Sequence, residues 1–172
     1  TNRNRSPLIS ITPFTRQDDP FCKTLGGLFT SMGYSTDASV AAEKFVWKKL
    51  CLNSCGNALA GITQLSNHIY ANDQDGFIML NHICAECCAV ANAEGIALDY
   101  DELRAFVQAT YYNQHHYVSM CQDIHNKRPT EIDTINGIIV REGRKFGIPT
   151  PVNETMVHLV HMISNHYADQ WV

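Results

Sequence analysis

The sequence predicts an all-α fold, and three observations predict it. Apolar residues recur at helical spacing in one stretch after another. Those stretches are bounded by helix punctuation: Pro20, Asp99, Thr150 and Pro151 where helices begin, and Gly33, Gly95 and Gly147 where they end. No strand pattern or internal repeat is convincing. With 172 residues, 45% hydrophobic and 17% charged, the chain is a lightly charged globular one, long enough for one domain with a sizeable core.

Residues 1–19 read as a linker, or as the last strand remnant of a preceding domain, with Leu8, Ile9 and Ile11 between Pro7 and Pro13. Residues 20–172 read as the helical domain. Its first helix runs from Pro20 to Met32 and stops at Gly33, and Tyr34 to Asp37 is a turn. Asp37 or Ser39 caps a long second helix that reaches about Gln64. Ser66 to Gly76 is a polar break, and Phe77 to Ala93 an apolar helix rich in Cys and Ala. Asp99 caps the next helix, with Glu102 completing a capping box. Asn113 to Tyr117 is a loop, and Val118 to His125 a short helix. Pro129 and Thr130 open a helix that ends at Gly147. Thr150 caps the last helix, with Pro151 at its first position. Seven helices of unequal length predict something more intertwined than a simple bundle.

Composition narrows the function. The formal net charge is −4 and no basic patch stands out, which argues against a nucleic-acid partner. No apolar run approaches the ~18 residues of a membrane span, and no secretory signal pattern is present. An odd number of cysteines, seven, without such a signal argues for reduced thiols in a cytosolic protein. Cys84, Cys87 and Cys88 follow His82 in HICAECC. A C-x-x-C pair is a strong zinc signal when a second pair follows, and none does. On a helix these three share one face, where Cys acts as a small buried hydrophobe, and Cys51 and Cys55 repeat the pattern at i, i+4. No metal site is expected. The eight histidines are scattered and read as surface or core-edge residues.

The stretch Phe45 to Gln64, FVWKKLCLNSCGNALAGITQ, organises the chain. Trp47, Leu50, Cys51, Ser54, Ala58, Leu59 and Ile62 make an apolar or small-residue face. Lys49, Asn53 and Asn57 fall at i, i+4 and i+8, one polar line on a core-like helix. Two amides and an ammonium in a row suit an anionic, oxygen-rich small molecule; a solvated helix edge is the bland alternative. Ser119 and Asp123 share a face of the short helix, with Arg128 and Glu131 just beyond. Taken singly, Glu131 is explained by capping and Asp123 by an ion pair with Lys127.

Together these segments resemble a known family. Trp47-Lys48-Lys49-Leu50 with Asn53 and Asn57, Ser119-Met120-x-Gln122-Asp123-Ile124, Thr130-Glu131-Ile132-Asp133-x-Ile135-Asn136-Gly137, and Gly147-Ile148-x-x-Pro151-x-Asn153 look like the C-terminal domain of ketopantoate reductase (2-dehydropantoate 2-reductase). The likeness covers residues 25 to 165 in four ordered blocks. It implies an all-α domain of the 6-phosphogluconate dehydrogenase C-terminal-like type, separate from a Rossmann domain that binds NADPH, with a 2-keto acid substrate between the two.

By that resemblance Lys49 matches the catalytic lysine, the proton donor to the ketone oxygen. Hydride addition builds charge on that oxygen, and a positioned ammonium stabilises and protonates it. Flanking carboxylates and amides are expected to hold the ammonium in place. Asn53, Asn57, Asn67 and Ser119 match substrate-binding residues. Glu131 matches a glutamate at the nicotinamide end of the cofactor, and Asp123 an acidic residue of the same cleft. Where the family usually has Asn-Pro-Leu-Thr-Ala, this chain has Asn57-Ala58-Leu59-Ala60-Gly61, which leaves the substrate open. No G-x-G-x-x-G dinucleotide fingerprint occurs, so the chain alone is expected to be inactive and to bind NADPH weakly or not at all. The start at TNRNRS reads as the interior of a longer protein whose N-terminal Rossmann domain is this domain's partner. Family members self-associate through this domain in some cases, so the oligomeric state stays open. A reductase of another 2-keto acid and a non-catalytic interaction domain are the alternatives.

Overall fold

The computed structural model describes residues 8–11, 13, 19–38 and 42–170. The chain divides into two compact units between Val46 and Trp47.

In the first unit, Asp19 accepts a hydrogen bond from the Phe21 N–H (2.8 Å) and Pro20 fills the first turn of α1 (Pro20–Ser31). Gly33, at φ +88°, ends it. The segment expected to be a turn is instead a strand. β2 (Ser35–Asp37) pairs in parallel with β1 (Leu8–Ser10), Ile9 opposite Thr36. The Ile11 N–H extends the ladder to the Asp37 carbonyl (2.8 Å). Three-residue strands are too short to show alternation, so the sequence carried no usable period. Asp37 is thus a strand residue and not a helix cap, and Ser39, the other expected cap, lies outside the described residues.

The second unit is helical. α2 (Ala42–Thr63) enters it at Trp47 and is buried at every position from Cys51 to Gly61 except Asn53. Around it stand α3 (Asn67–Asn72), α4 (Gln74–Ala93), α5 (Tyr100–Tyr112), α6 (Ser119–His125), a 3-10 turn (Ile132–Thr134), α7 (Asn136–Phe146) and α8 (Pro151–Asn165). One core joins Cys51, Ala58 and Leu59 of α2 to Ile83 and Val90 of α4, Leu103 and Val107 of α5, Met120 of α6, Ile139 of α7 and Val160 of α8. α4 is long and apolar enough to cross a membrane by length and composition, contrary to the sequence reading. Here its apolar face, with Leu80, Ile83, Cys84 and Cys87 each no more than 2% exposed, is spent on this core.

Small residues let α2 be covered so closely. A methyl group on Gly56 would stand 2.5 Å from the Tyr111 ring carbon Cζ, and one on Gly61 2.7 Å from Ile124 Cδ1. The Tyr111 hydroxyl donates to the Leu52 carbonyl, so α5 seats on α2 through a buried tyrosine. Cys51 and Cys55 meet with their sulfurs 4.0 Å apart, and Cys55 donates to the Leu80 carbonyl (3.6 Å). All seven cysteines are free and buried, packing as the small hydrophobes the spacing suggested.

Three helix expectations need correction. The polar break from Ser66 to Gly76 contains α3, and α4 begins at Gln74, with Asp73 accepting from the Gly76 N–H (2.9 Å). Asn and Asp are poor interior formers but good caps, which hid a six-residue helix. The helix expected from Pro129 to Gly147 is broken at Ile135 (φ −109°, ψ −90°) into the 3-10 turn and α7. The apolar spacing of Ile132, Ile135 and Ile139 runs unbroken through the joint because all three reach the same core. Thr150 precedes α8 but its side chain makes no cap; the cap comes from α4. The Asp99 cap of α5 is present, accepting from the Glu102 N–H (2.8 Å).

Two outcomes follow. Gly56→Ala drives a methyl group into a tyrosine held at its far end, and should destabilise the chain by about 1–3 kcal/mol in urea unfolding. Burial, reinforced by hydrogen bonds from Cys51 and Cys84, pushes the Cys55 thiol well above its ordinary 9.0. Folding therefore favours the protonated thiol. Stability should be complete below pH 9 and fall as pH rises past it, read as a lower urea midpoint at about pH 10 than at neutral pH.

Candidate active site

α2 places the polar stripe across a gradient of burial. Residues four apart advance about 6 Å along the axis and turn about 40° around it. Lys49 is exposed, Asn53 half-buried and Asn57 only 5% exposed. The stripe thus winds from solvent into the core, with an ammonium outside and an amide inside. None of the three side chains has a hydrogen bond or ion pair among the described residues. The carboxylates expected to flank Lys49 are not paired with it.

α6 lies over the C-terminal half of α2, with Met120 and Ile124 against Gly61. Ser119 opens α6 and is exposed. Asp123, one turn on, pairs with Arg128 (Oδ1 to Nη2, 2.7 Å) and not with Lys127, the partner expected from sequence. The backbone explains the choice. Lys127 takes φ +56°, and the Arg128 N–H donates to the Asp123 carbonyl (2.8 Å), closing the helix end so that the arginine returns to the aspartate. The Tyr167 hydroxyl, just beyond the end of α8, donates to the Arg128 carbonyl (2.8 Å).

Glu131 is exposed, ahead of the 3-10 turn, where its carbonyl accepts from the Thr134 and Ile135 N–H groups (both 3.1 Å). Its carboxylate makes no ion pair among the described residues. Asn67 is turned inward. It is fully buried at the start of α3, its amide 3.5 Å from Gln114 Oε1 and its N–H 3.4 Å from the His116 carbonyl. A cavity of about 450 Å³ lined by Gln64, Tyr117, Cys121, Gln122, His125 and Asn126 opens on the face of α6 away from Ser119 and Asp123. No stripe residue lines it. Among the described residues no group of His, Cys, Asp or Glu side chains is arranged to hold a metal ion.

Three residues to which the sequence gave no role join the elements that carry the others. Glu86 of α4 accepts from the Val152 N–H (2.8 Å), the Asn153 N–H (2.9 Å) and Asn153 Nδ2 (2.7 Å). A carboxylate on a helix N-terminus meets both orphan amides and the positive end of the dipole. Asn136 Nδ2 then donates to Asn153 Oδ1 (3.0 Å) and to the Ser54 carbonyl of α2 (3.1 Å). The signal for Glu86 was a lone carboxylate among the alanines and cysteines of a core helix. Asn136 and Asn153 stood inside recognised blocks, but amides look alike in sequence whether they bind ligand or backbone.

Residues 42–164 match the family model for the C-terminal domain of ketopantoate reductase PanE/ApbA. The chain belongs to the ketopantoate reductase family. Among curated relatives, the 2-dehydropantoate 2-reductase of Streptococcus pyogenes is 36% identical over 118 residues, 67% of this chain and 38% of that protein. The Vibrio cholerae enzyme is 34% identical over 130 residues, 73% and 43%. The chain therefore spans about two-fifths of the length of these relatives. Among solved structures, a PanE/ApbA family ketopantoate reductase from Ralstonia eutropha superposes with a TM-score of 0.78 at 30% identity, over 95% of this chain and 53% of that one. A D-mandelate dehydrogenase with NADH and anilino(oxo)acetate gives 0.84 at 29% identity, over 93% and 67%. The all-α C-terminal domain expected from sequence is the fold these matches share.

Removing the carboxylate in Glu86→Ala leaves two helix N–H groups and a buried amide without an acceptor. The loss should be about 2–3 kcal/mol in urea unfolding, with the amides at the start of α8 gaining the most hydrogen exchange.

Proposed function

We propose that this chain is the substrate-binding and catalytic C-terminal domain of an NADPH-dependent 2-dehydropantoate 2-reductase, which makes pantoate for pantothenate and coenzyme A synthesis. In the intact protein residues 20–172 form this domain and a Rossmann domain holds the cofactor. The observation that carries the reading is the stripe on α2: an amide on a residue only 5% exposed that makes no hydrogen bond among the described residues, below an ammonium that is exposed and unpaired. The amide's polar atoms are not sealed in the core, so they remain open to the oxygens of a bound keto acid.

Each residue then has a role. Lys49 donates to the ketone oxygen, stabilises the charge that grows there as hydride adds to the carbon, and protonates it to the alcohol. Asn53 and Asn57 bind the substrate's oxygens along the stripe, and Ser119 binds it from α6. Asn67 is assigned to the substrate as well, from its buried place at the start of α3. Asp123, already paired with Arg128, gives the cleft a fixed ion pair more than a free charge. The cofactor's dihydronicotinamide supplies the hydride. Of the residues described, Glu131 fits its nicotinamide end, an exposed carboxylate on a tight turn.

One observation favours a second reading, reduction of another 2-oxo acid. The D-mandelate dehydrogenase that superposes at 0.84 holds NADH and anilino(oxo)acetate. The Asn57-Ala58-Leu59-Ala60-Gly61 run also departs from the family pattern.

The test is NADPH oxidation with 2-dehydropantoate by the full-length protein, wild type beside Lys49→Ala. Lys49 is exposed, so the fold should survive. The rate should fall by about 10²–10⁴-fold; near-normal turnover would remove the proton-donor role.

A further inference from the structure

We propose that Asn136 is a positioning residue for this reaction: its amide locks the segment that bears Glu131 to the helix that bears Lys49, Asn53 and Asn57. The inference rests on the reading of the site given above.

The direction of each hydrogen bond is forced. The Ser54 carbonyl only accepts, so the Asn136 atom facing it is Nδ2 (3.1 Å). The same nitrogen faces Asn153 (3.0 Å), which must therefore present Oδ1. That leaves Asn153 Nδ2 to donate to Glu86 (2.7 Å), a carboxylate that only accepts when ionised. No amide can flip without setting donor against donor or acceptor against acceptor. Asn136 and Asn153 are fully buried, so no water competes for these bonds from outside.

The placement matters as much as the bonding. Ser54 follows Asn53 directly and lies one turn before Asn57. Asn136 lies five residues after Glu131, at the start of α7, across the backbone break at Ile135. One side chain therefore spans the two segments assigned to substrate and to nicotinamide. The arrangement is costly as a packing device, because Asn136 Oδ1 is buried without a partner. An apolar side chain would fill the space without that penalty. What the amide adds is a fixed register, and hydride transfer needs one: a misplacement of about 1 Å costs on the order of 100-fold in rate.

The test uses the full-length protein with Asn136→Ala and, as a milder change that keeps one hydroxyl donor, Asn136→Ser. Each is made alone and together with Asn53→Ala. The readouts are kcat and KM for the keto acid, the Kd for NADPH, and amide exchange over residues 54–60. The expected result for Asn136→Ala is a loss of about 100-fold in kcat/KM, an NADPH Kd within about two-fold of wild type, and faster exchange at residues 54–60. The kinetic loss should shrink to under about three-fold in the Asn53→Ala background, since residues acting through one another are not additive. A folded Asn136 variant with wild-type kinetics overturns the proposal, as do losses that simply add to those of Asn53→Ala. Failure of both variants to fold marks the network as purely structural and also overturns it. A wild-type protein that reduces no 2-oxo acid removes the reading of the site itself, an outcome separate from an active enzyme with an indifferent Asn136.

Discussion

The carboxylate of Glu86 is the constraint from which the second unit is built outward. It has no ion-pair partner among the described residues and is satisfied by three N–H groups at the start of α8. By orienting Asn153 it orients Asn136, and through Asn136 it reaches a backbone carbonyl of α2. Four helices are tied by one line of hydrogen bonds whose polarity is set at its acidic end. Hydrophobic burial makes these helices associate, but burial is non-directional. The directional line fixes where α4, α7 and α8 sit along α2.

α2 needs such a device because it is packed on nearly every side. A helix with one apolar face has its rotation set by that face. Between Cys51 and Gly61 this one turns mostly Gly, Ala, Ser and Cys toward its neighbours, with Leu52 and Leu59 the larger exceptions. Small side chains allow close approach and little else, so they leave rotation and register weakly defined. The Tyr111 hydroxyl on the Leu52 carbonyl and the Asn136 amide on the Ser54 carbonyl supply what is missing. With α2 fixed, the 40° drift of an i, i+4 series becomes a functional gradient. The same geometry that carries Lys49 into solvent carries Asn57 into the packed part of the helix.

The main features of this arrangement were legible in the sequence because they rest on local chemistry. Pro20 after Asp19, Asp99 ahead of Glu102, and Gly147 at φ +70° announce helix ends through bonds within a few residues. Lys49, Asn53 and Asn57 are related by helical period alone. The features that were hidden depend on distant residues. α3 is a single turn and a half held by the loop after α5, and nothing in NHIYAN marks it without that loop. The break at Ile135 falls within an apolar series that continues through it. The cap of α8 comes from a residue 66 positions away, so Thr150 received in the sequence a role that Glu86 performs. Asp123 was assigned the nearest cation in sequence and took the next, because the backbone turn after α6 returns Arg128 to it.

What most directly tests the functional account is the ratio of kcat/KM for 2-dehydropantoate to that for an aryl 2-oxo acid, measured with the full-length protein and NADPH. A ratio of about 100 or more is the predicted result. It would mean that the buried amide end of the stripe recognises the hydroxylated aliphatic acid, since a site built to hydrogen-bond a hydroxyl discriminates strongly against substrates that lack it. A ratio below one would contradict the account and place this chain's chemistry with the mandelate-type dehydrogenase that shares its fold.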